Sequence, residues 1–300
     1  MGKEHWLALS MVPGIGGVTA RRLLERFHSV EAVFDAPDEH LLRVPRLTPD
    51  AVARLRAVSL EAVEGELASL ADEGLEVLTW DDEAYPANLR SLHDAPPVLF
   101  MRGALGPEDE QAVAIGGTRQ PPARGAALAE GLARELARRR LTVVSGLALG
   151  IDAAAHQGAL LAAGGRTLAV PGSGLRAIHP RENQPLAEAI VERGALLSEL
   201  HPAAPPRGPV LMARDRITSG LSRAVVVVEA AERSGSLDTA DKARRQGRLL
   251  LAVPGSPGTQ ALLEGGAERL DPEAADLDAL SERIRAHTPQ CPGHGQMTLL

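Results

Sequence analysis

The sequence predicts an α/β fold: a doubly wound, mostly parallel sheet preceded by a small helical domain. Three observations carry this expectation. Apolar runs between Ala112 and Val253 recur every 25 to 30 residues, the length of a βαβ unit. Several segments between them have helical periodicity, "RGAALAEGLARELARRR" being the clearest. The runs are nearly continuous in apolar character rather than alternating, which fits strands buried on both faces.

Taken in order, residues 1–75 read as short helices. "WLALSMV", "VTARRLLERF" and "PDAVARLRAVSLEAVEGELASLADEG" carry apolar positions at helical spacing, with no strand among them. Val77 to Trp80 and Val98 to Met101 are brief β-prone runs separated by a Pro-containing connector, the mark of a domain junction. The strands of the second domain, residues 76–270, are expected at "AVAI", "LTVV", "RTLAV", "ALLSEL", "AVVVVEA" and "LLLAV". Residues 271–300 turn acidic and read as a disordered tail. No internal repeat is apparent.

Three hundred residues, 44% of them hydrophobic, suffice for a real core. No apolar run approaches the roughly 20 residues of a membrane span. The start "MGKEHWLALS" lacks the features of a signal peptide, so a cytoplasmic protein is expected. A single cysteine, Cys291, excludes an internal disulfide framework and argues against a cysteine-based metal site. The net charge of −7 conceals an asymmetry: residues 111–256 hold 19 basic against 12 acidic side chains, and the flanks are acidic. Such a distribution suits an anionic ligand bound centrally.

In a sheet of this kind, ligands bind beyond the carboxyl ends of the strands, where backbone N–H groups and helix N-termini face anions. Four of the predicted strand ends carry glycine with serine or threonine. They are Gly116-Gly117-Thr118-Arg119, the stretch from Ser145-Gly146 to Asp152, Pro171-Gly172-Ser173-Gly174, and Ser234-Gly235-Ser236. Each alone reads equally as a tight turn into a helix; together they describe a crest able to line a phosphate backbone. Neither GxGxxG nor GxxxxGK[ST] occurs in the sequence. Arg119, and Arg214 and Arg216 on either side of Asp215, are candidate phosphate ligands, though each also reads as a salt-bridged surface group. His156 follows Asp152 by four residues, a spacing that suits a structural Asp–His hydrogen bond better than an acid/base pair. "VPGIGGVTARRLL", Val12 to Leu24, has the hairpin pattern of helix-hairpin-helix motifs, which bind phosphates through backbone N–H groups; a turn that only packs is the competing reading.

The order of motifs resembles the DNA-processing protein A (DprA/Smf) family. The resemblance rests on "AIGGTR", "VVSGLALGIDAAAH", "GGRTLAVPGSGLRAIHPREN", "SEL", "RDRITSGLS", "VVVEAAERSGSLDTA" and "GRLLLAVPG". It implies an extended Rossmann-like domain behind a helix-hairpin-helix (SAM-like) domain. It further implies a mediator rather than an enzyme, with no cofactor or metal, that binds and protects incoming single-stranded DNA in natural transformation. RecA recombinase and a second copy of the chain are the implied partners. Carried over position by position, the DNA contacts fall on Gly117, Thr118, Arg119, Ser145, Gly146, Arg181, Asn183, Arg214, Arg216, Ser234, Gly235 and Ser236. Leu149 stands where the family usually has arginine, Asp215 where it has asparagine, His179 where it has tyrosine and Gly116 where it has an apolar residue. One basic group fewer and one acid more should weaken phosphate binding near the crest. Many relatives also carry a C-terminal winged-helix domain, for which the residues after Asp271 are too few. With aromatics at 2%, stacking platforms are scarce, so affinity should come from phosphate contacts and fall with salt.

An enzyme on a similar scaffold is the main rival, a nucleotide-hydrolysing relative of the lysine-decarboxylase-like group. That group uses a "PGGxGT" loop followed by a glutamate; "VPGSPGTQALLEGGAE" comes close, with Glu264 as candidate base and Ser256 in place of the second glycine.

Overall fold

The computed structural model describes residues 2–206 and 212–289. Six helices open the chain: α1 (Lys3–Ser10), α2 (Gly17–Phe27), α3 (Val30–Asp35), α4 (Asp38–Leu41), α5 (Pro49–Ala57) and α6 (Leu60–Asp72). Ser29, Thr48 and Ser59 cap α3, α5 and α6 by accepting the N–H of Ala32, Ala51 and Ala62, and Pro49 occupies the first turn of α5. No repeat is apparent in the sequence, but the structure contains one. The hairpins Val12–Gly16 and Val44–Thr48 are built alike: Ile15 N–H donates to Val12 O and Leu47 N–H to Val44 O, both at 3.1 Å. The residues at their tips, Gly14 and Arg46, have φ of 90° and 74°. Val12, Ile15, Val44 and Leu47 are all buried. Only the apolar-Pro-x-apolar core, "VPGI" against "VPRL", is shared by the two, too short a string to stand out by eye.

The sheet has nine strands: β1 (Leu75–Thr79), β2 (Val98–Gly103), β3 (Ala112–Gly117), β4 (Thr142–Ser145), β5 (Thr167–Ala169), β6 (Gly194–Ser198), β7 (Ala224–Glu229), β8 (Leu249–Ala252) and β9 (Glu268–Arg269). Their order is β1-β2-β6-β5-β4-β3-β7-β8-β9. From β6 to β9 every pairing is parallel, while β2 runs antiparallel to both β1 and β6. Each of the six apolar runs holds a strand of this sheet.

Successive residues explain why those runs are continuous. Ala114, Val144, Val225 and Val227 join the apolar cluster on one face, and Val113, Ile115, Val143, Val226 and Val228 join the other. After the one-turn α7 (Ala87–Arg90), which lies between β1 and β2, α8 (Ala123–Arg138) and α9 (Ile151–Leu161) cover the second face. On the first lie α10 (Gln184–Val191), α11 (Asp215–Gly220) and α12 (Gly235–Arg245), and the same cluster runs on to Trp6, Leu23 and Leu70 of the N-terminal helices. No helix among the described residues is long and apolar enough to cross a membrane.

The expectation of disorder beyond 271 fails for the described part of that segment. A helix, Leu277–Ala286, buries Leu280 and Ile284 in the second cluster. Asp276 caps it by accepting the N–H of Asp278 and Ala279, and Arg139 pairs with Asp278 at 2.6 Å. Leu277, Leu280 and Ile284 form a helical stripe that the surrounding acids obscured. Residues 290–300, with Cys291, lie outside the described residues.

Candidate functional site

The chain runs from β3 through β4 and β5 to β6 on one side of β3, then returns to place β7 on the other, so the strand order reverses at β3. Beyond the carboxyl ends of β3, β4 and β7 opens a cleft of about 530 Å³. Three loops form its walls: Gly117–Gln120 after β3, the loop from Ser145 after β4, and Ala231–Ser236 after β7. The segment Met212–Asp215 completes it. Of the twelve residues marked by the sequence, Gly117, Thr118, Arg119, Ser145, Gly146, Arg214, Ser234, Gly235 and Ser236 line this one cavity.

Several of these residues build the cleft rather than offer themselves to a ligand. Thr118 ties three loops together: its N–H donates to Glu229 O at 2.7 Å, its carbonyl accepts from Ile151 N, and its hydroxyl accepts from Gln120 N. Ser145 is buried and donates its hydroxyl to Ile115 O at 2.6 Å, bracing β4 on β3. Ser234 caps α12, accepting the N–H of Ser236 while the two hydroxyls share a hydrogen bond of 2.7 Å. Gly150 has φ 80°, and a β-carbon there would fall 2.5 Å from Thr118 O, so only glycine lets the two loops close.

Arg214 forms the floor. Its Nη1 donates to Val170 O at 3.2 Å, its Nε lies 3.1 Å from Asp215 Oδ1, and its Nη2 lies 3.7 Å from Asp152 Oδ2. All three side chains are almost wholly buried. Burial raises the Asp215 carboxyl to about 6, against the opposing pull of Arg214 and with a further push from Asp152; Lys242 and Asp238 add smaller opposing contributions. Asp152 is likewise raised, by burial that outweighs Arg214. Arg119 and Arg233 stand exposed at the rim, and among the described residues neither makes an ion pair. Arg233 was missed by sequence reasoning, although its position directly before the Ser234–Ser236 loop was the available signal.

Three marked residues do not line the cleft. Arg216 ion-pairs with Glu199, and Asp94 lies 3.9 Å away. Arg214 caps the helix that Arg216 belongs to, in helical backbone geometry, and the rotation of about 200° over two positions turns the two side chains to different sides. Asn183 is buried and donates to Leu147 O at 2.9 Å, holding a residue whose φ is 60°; it shapes the β4 loop from behind. Arg181 is exposed at the start of a short 3-10 turn.

The expected Asp152–His156 hydrogen bond is replaced by another. His156 Nδ1 lies 2.7 Å from Thr167 Oγ1, whose own hydrogen goes to Val143 O, so Nδ1 is the donor. Asp152 instead turns toward Ala148 N–H and Arg214. Burial lowers His156 to about 3, with Arg214 adding to the effect, so the ring is neutral near pH 7.

The family model described as DNA recombination-mediator protein A matches residues 76–285, and the SAM-like helix-hairpin-helix tandem matches residues 7–58. The Bacillus subtilis DNA processing protein DprA is 38% identical over 229 residues, covering 74% of this chain and 77% of its own. DNA processing protein A of Streptococcus pneumoniae superimposes with a TM-score of 0.77 at 31% identity, covering 92% of this chain and 95% of its own. DNA processing protein A of Helicobacter pylori, described for its unique single-stranded DNA binding mode, gives 0.63 at 30% identity over 70% of this chain and 97% of its own.

Proposed function

The chain belongs to the DNA recombination-mediator protein A family, and from that premise we propose that it binds single-stranded DNA across the cleft beyond β3, β4 and β7. In this reading it acts in the cytoplasm as a homodimer, protects DNA entering by natural transformation and loads RecA recombinase onto it. The observation that carries the reading is the pairing of three strand-end loops with two exposed arginines, Arg119 and Arg233, at the rim of one cavity. Small residues let a backbone approach, and the guanidinium forks grip phosphate bidentately without reading base sequence. The binding described for the Helicobacter pylori relative supports it.

A mediator that does no chemistry fits the same residues. The Ser145 hydroxyl is committed to Ile115 O and the His156 ring to Thr167. Glu264, the base of the rival hydrolase reading, sits at the end of the helix Pro257–Glu264, bonded to Gln260 and outside the cleft lining.

Fluorescence anisotropy of a labelled oligo-dT, titrated with protein at several salt concentrations beside a duplex of equal length, tests the reading. Binding that favours the single strand and weakens steeply with salt is expected. Flat anisotropy at micromolar protein would overturn it and turn attention to nucleotide hydrolysis. RecA loading is tested by adding the protein to RecA and oligonucleotide covered by single-strand-binding protein, with faster onset of RecA ATPase expected.

A further inference from the structure

The floor of the cleft is an unusual place to find acids. Arg214, the most deeply placed cation of the cavity, is clasped on both sides, by Asp215 at 3.1 Å and Asp152 at 3.7 Å. The clasp sums to one net negative charge when both carboxylates are ionised, at the point where an anion would enter deepest. Asp152 comes from α9, whereas Asp215 opens α11, so two separate elements converge on one guanidinium. The other charged groups acting on Asp215 are Lys242 and Asp238 of α12; Arg119 and Arg233 occupy the rim.

We propose that Asp215 is a positioning residue that acts through Arg214: it holds the guanidinium in a two-carboxylate clasp and so lowers the affinity of the cleft for phosphate backbone. A phosphodiester reaching the floor must compete with Asp215 and Asp152 for the same fork, and the clasp repels it until one carboxylate is neutral or moves. The inference rests on the single-stranded DNA reading for its ligand, but the clasp acts on any anion entering the cavity. Binding should therefore strengthen as the pH falls and Asp215 takes a proton, with no contribution from the nearby His156, which stays neutral across that range.

The test compares the wild-type chain with Asp215→Asn, which keeps the shape and removes the charge. Oligo-dT affinity is measured at constant ionic strength between about pH 8 and about pH 5, where neither phosphodiester nor thymine titrates. At about pH 8 the variant should bind on the order of tenfold more tightly, the effect of one unit charge at a few ångströms in a partly screened site. Its affinity should change less with pH, since of the two clasp carboxylates only Asp152 remains to take a proton, while that of the wild type rises toward it on acidification. Equal or weaker binding by Asp215→Asn at about pH 8, or the same pH slope in both proteins, overturns the proposal. If Asp215→Asn fails to fold, the wild-type profile decides, and a flat one overturns it. If neither protein binds DNA, the single-stranded DNA reading falls separately, and thermal stabilisation by sulfate, a dianion throughout this range, decides instead. The clasp then predicts stabilisation at lower sulfate concentration for the variant, and equal stabilisation overturns it.

Discussion

Arg214 lies across the backbone of Gly146, so close that a β-carbon on Gly146 would fall 1.2 Å from Arg214 Nη1. The glycine of the β4 loop and the arginine some seventy residues later are thus one structural unit. Gly146→Ala must expel the guanidinium from between Asp152 and Asp215. We expect a loss of about 1–3 kcal/mol in stability, the usual cost of forcing atoms into a packed site, together with weaker oligonucleotide binding. Thermal denaturation and anisotropy on the same preparation check both; unchanged stability would mean that Arg214 leaves its place without cost.

The rim arginines and the ion-paired Arg216 should separate in their phenotypes. Arg119→Ala and Arg233→Ala each remove an exposed fork without an ion-pair partner among the described residues, so stability should hold while single-strand binding drops by about 1–3 kcal/mol, the range for a lost charged hydrogen bond. Arg216→Ala leaves the partly buried Glu199 without its cation and should cost about 1–3 kcal/mol of stability. Anisotropy beside urea denaturation distinguishes the classes, and a rim variant that unfolds early would contradict the assignment.

The strands and the strand-end loops were legible because both leave a dense local signal. A parallel strand buried on two faces must be apolar throughout, and a loop that passes a neighbouring backbone must be small, as Gly117 and Gly150 are. What could not be read was direction. Arg214 and Arg216 look equivalent in "RDRI", yet helical rotation sends one into the cleft and the other to Glu199. Asn183 sits in a family motif beside Arg181, but only the fold shows that its amide is used on Leu147 O. The helix at Leu277–Ala286 was hidden because acidity outweighed a three-residue apolar stripe whose partner surface lies on α8, far away in sequence.

That helix makes its own prediction. Ile284 is wholly buried against the second face of the sheet, so Ile284→Ala should destabilise the chain by about 2–5 kcal/mol through the lost transfer energy and the cavity left behind. A segment that merely rests on the surface would lose well under 1 kcal/mol. Urea denaturation of the variant beside wild type separates the two.

The Asp215 carboxyl also links stability to pH. It is raised from 3.8 to about 6 in the folded chain, so between those values the native state holds a proton that the unfolded state has lost. The stabilising contribution is therefore fully present below about pH 4 and disappears as the pH rises through 6. The full difference is about 3 kcal/mol, from roughly 1.4 kcal/mol per pH unit. Asp215→Asn mimics the protonated form at every pH. It should therefore be more stable than wild type near pH 8, by up to that amount, and the gap should close as both proteins are taken toward pH 4. Melting temperatures of the pair measured across this range provide the check. A gap that stays constant, or that widens on acidification, would show that Arg214 compensates the buried charge and that the Asp215 carboxyl titrates at its ordinary value.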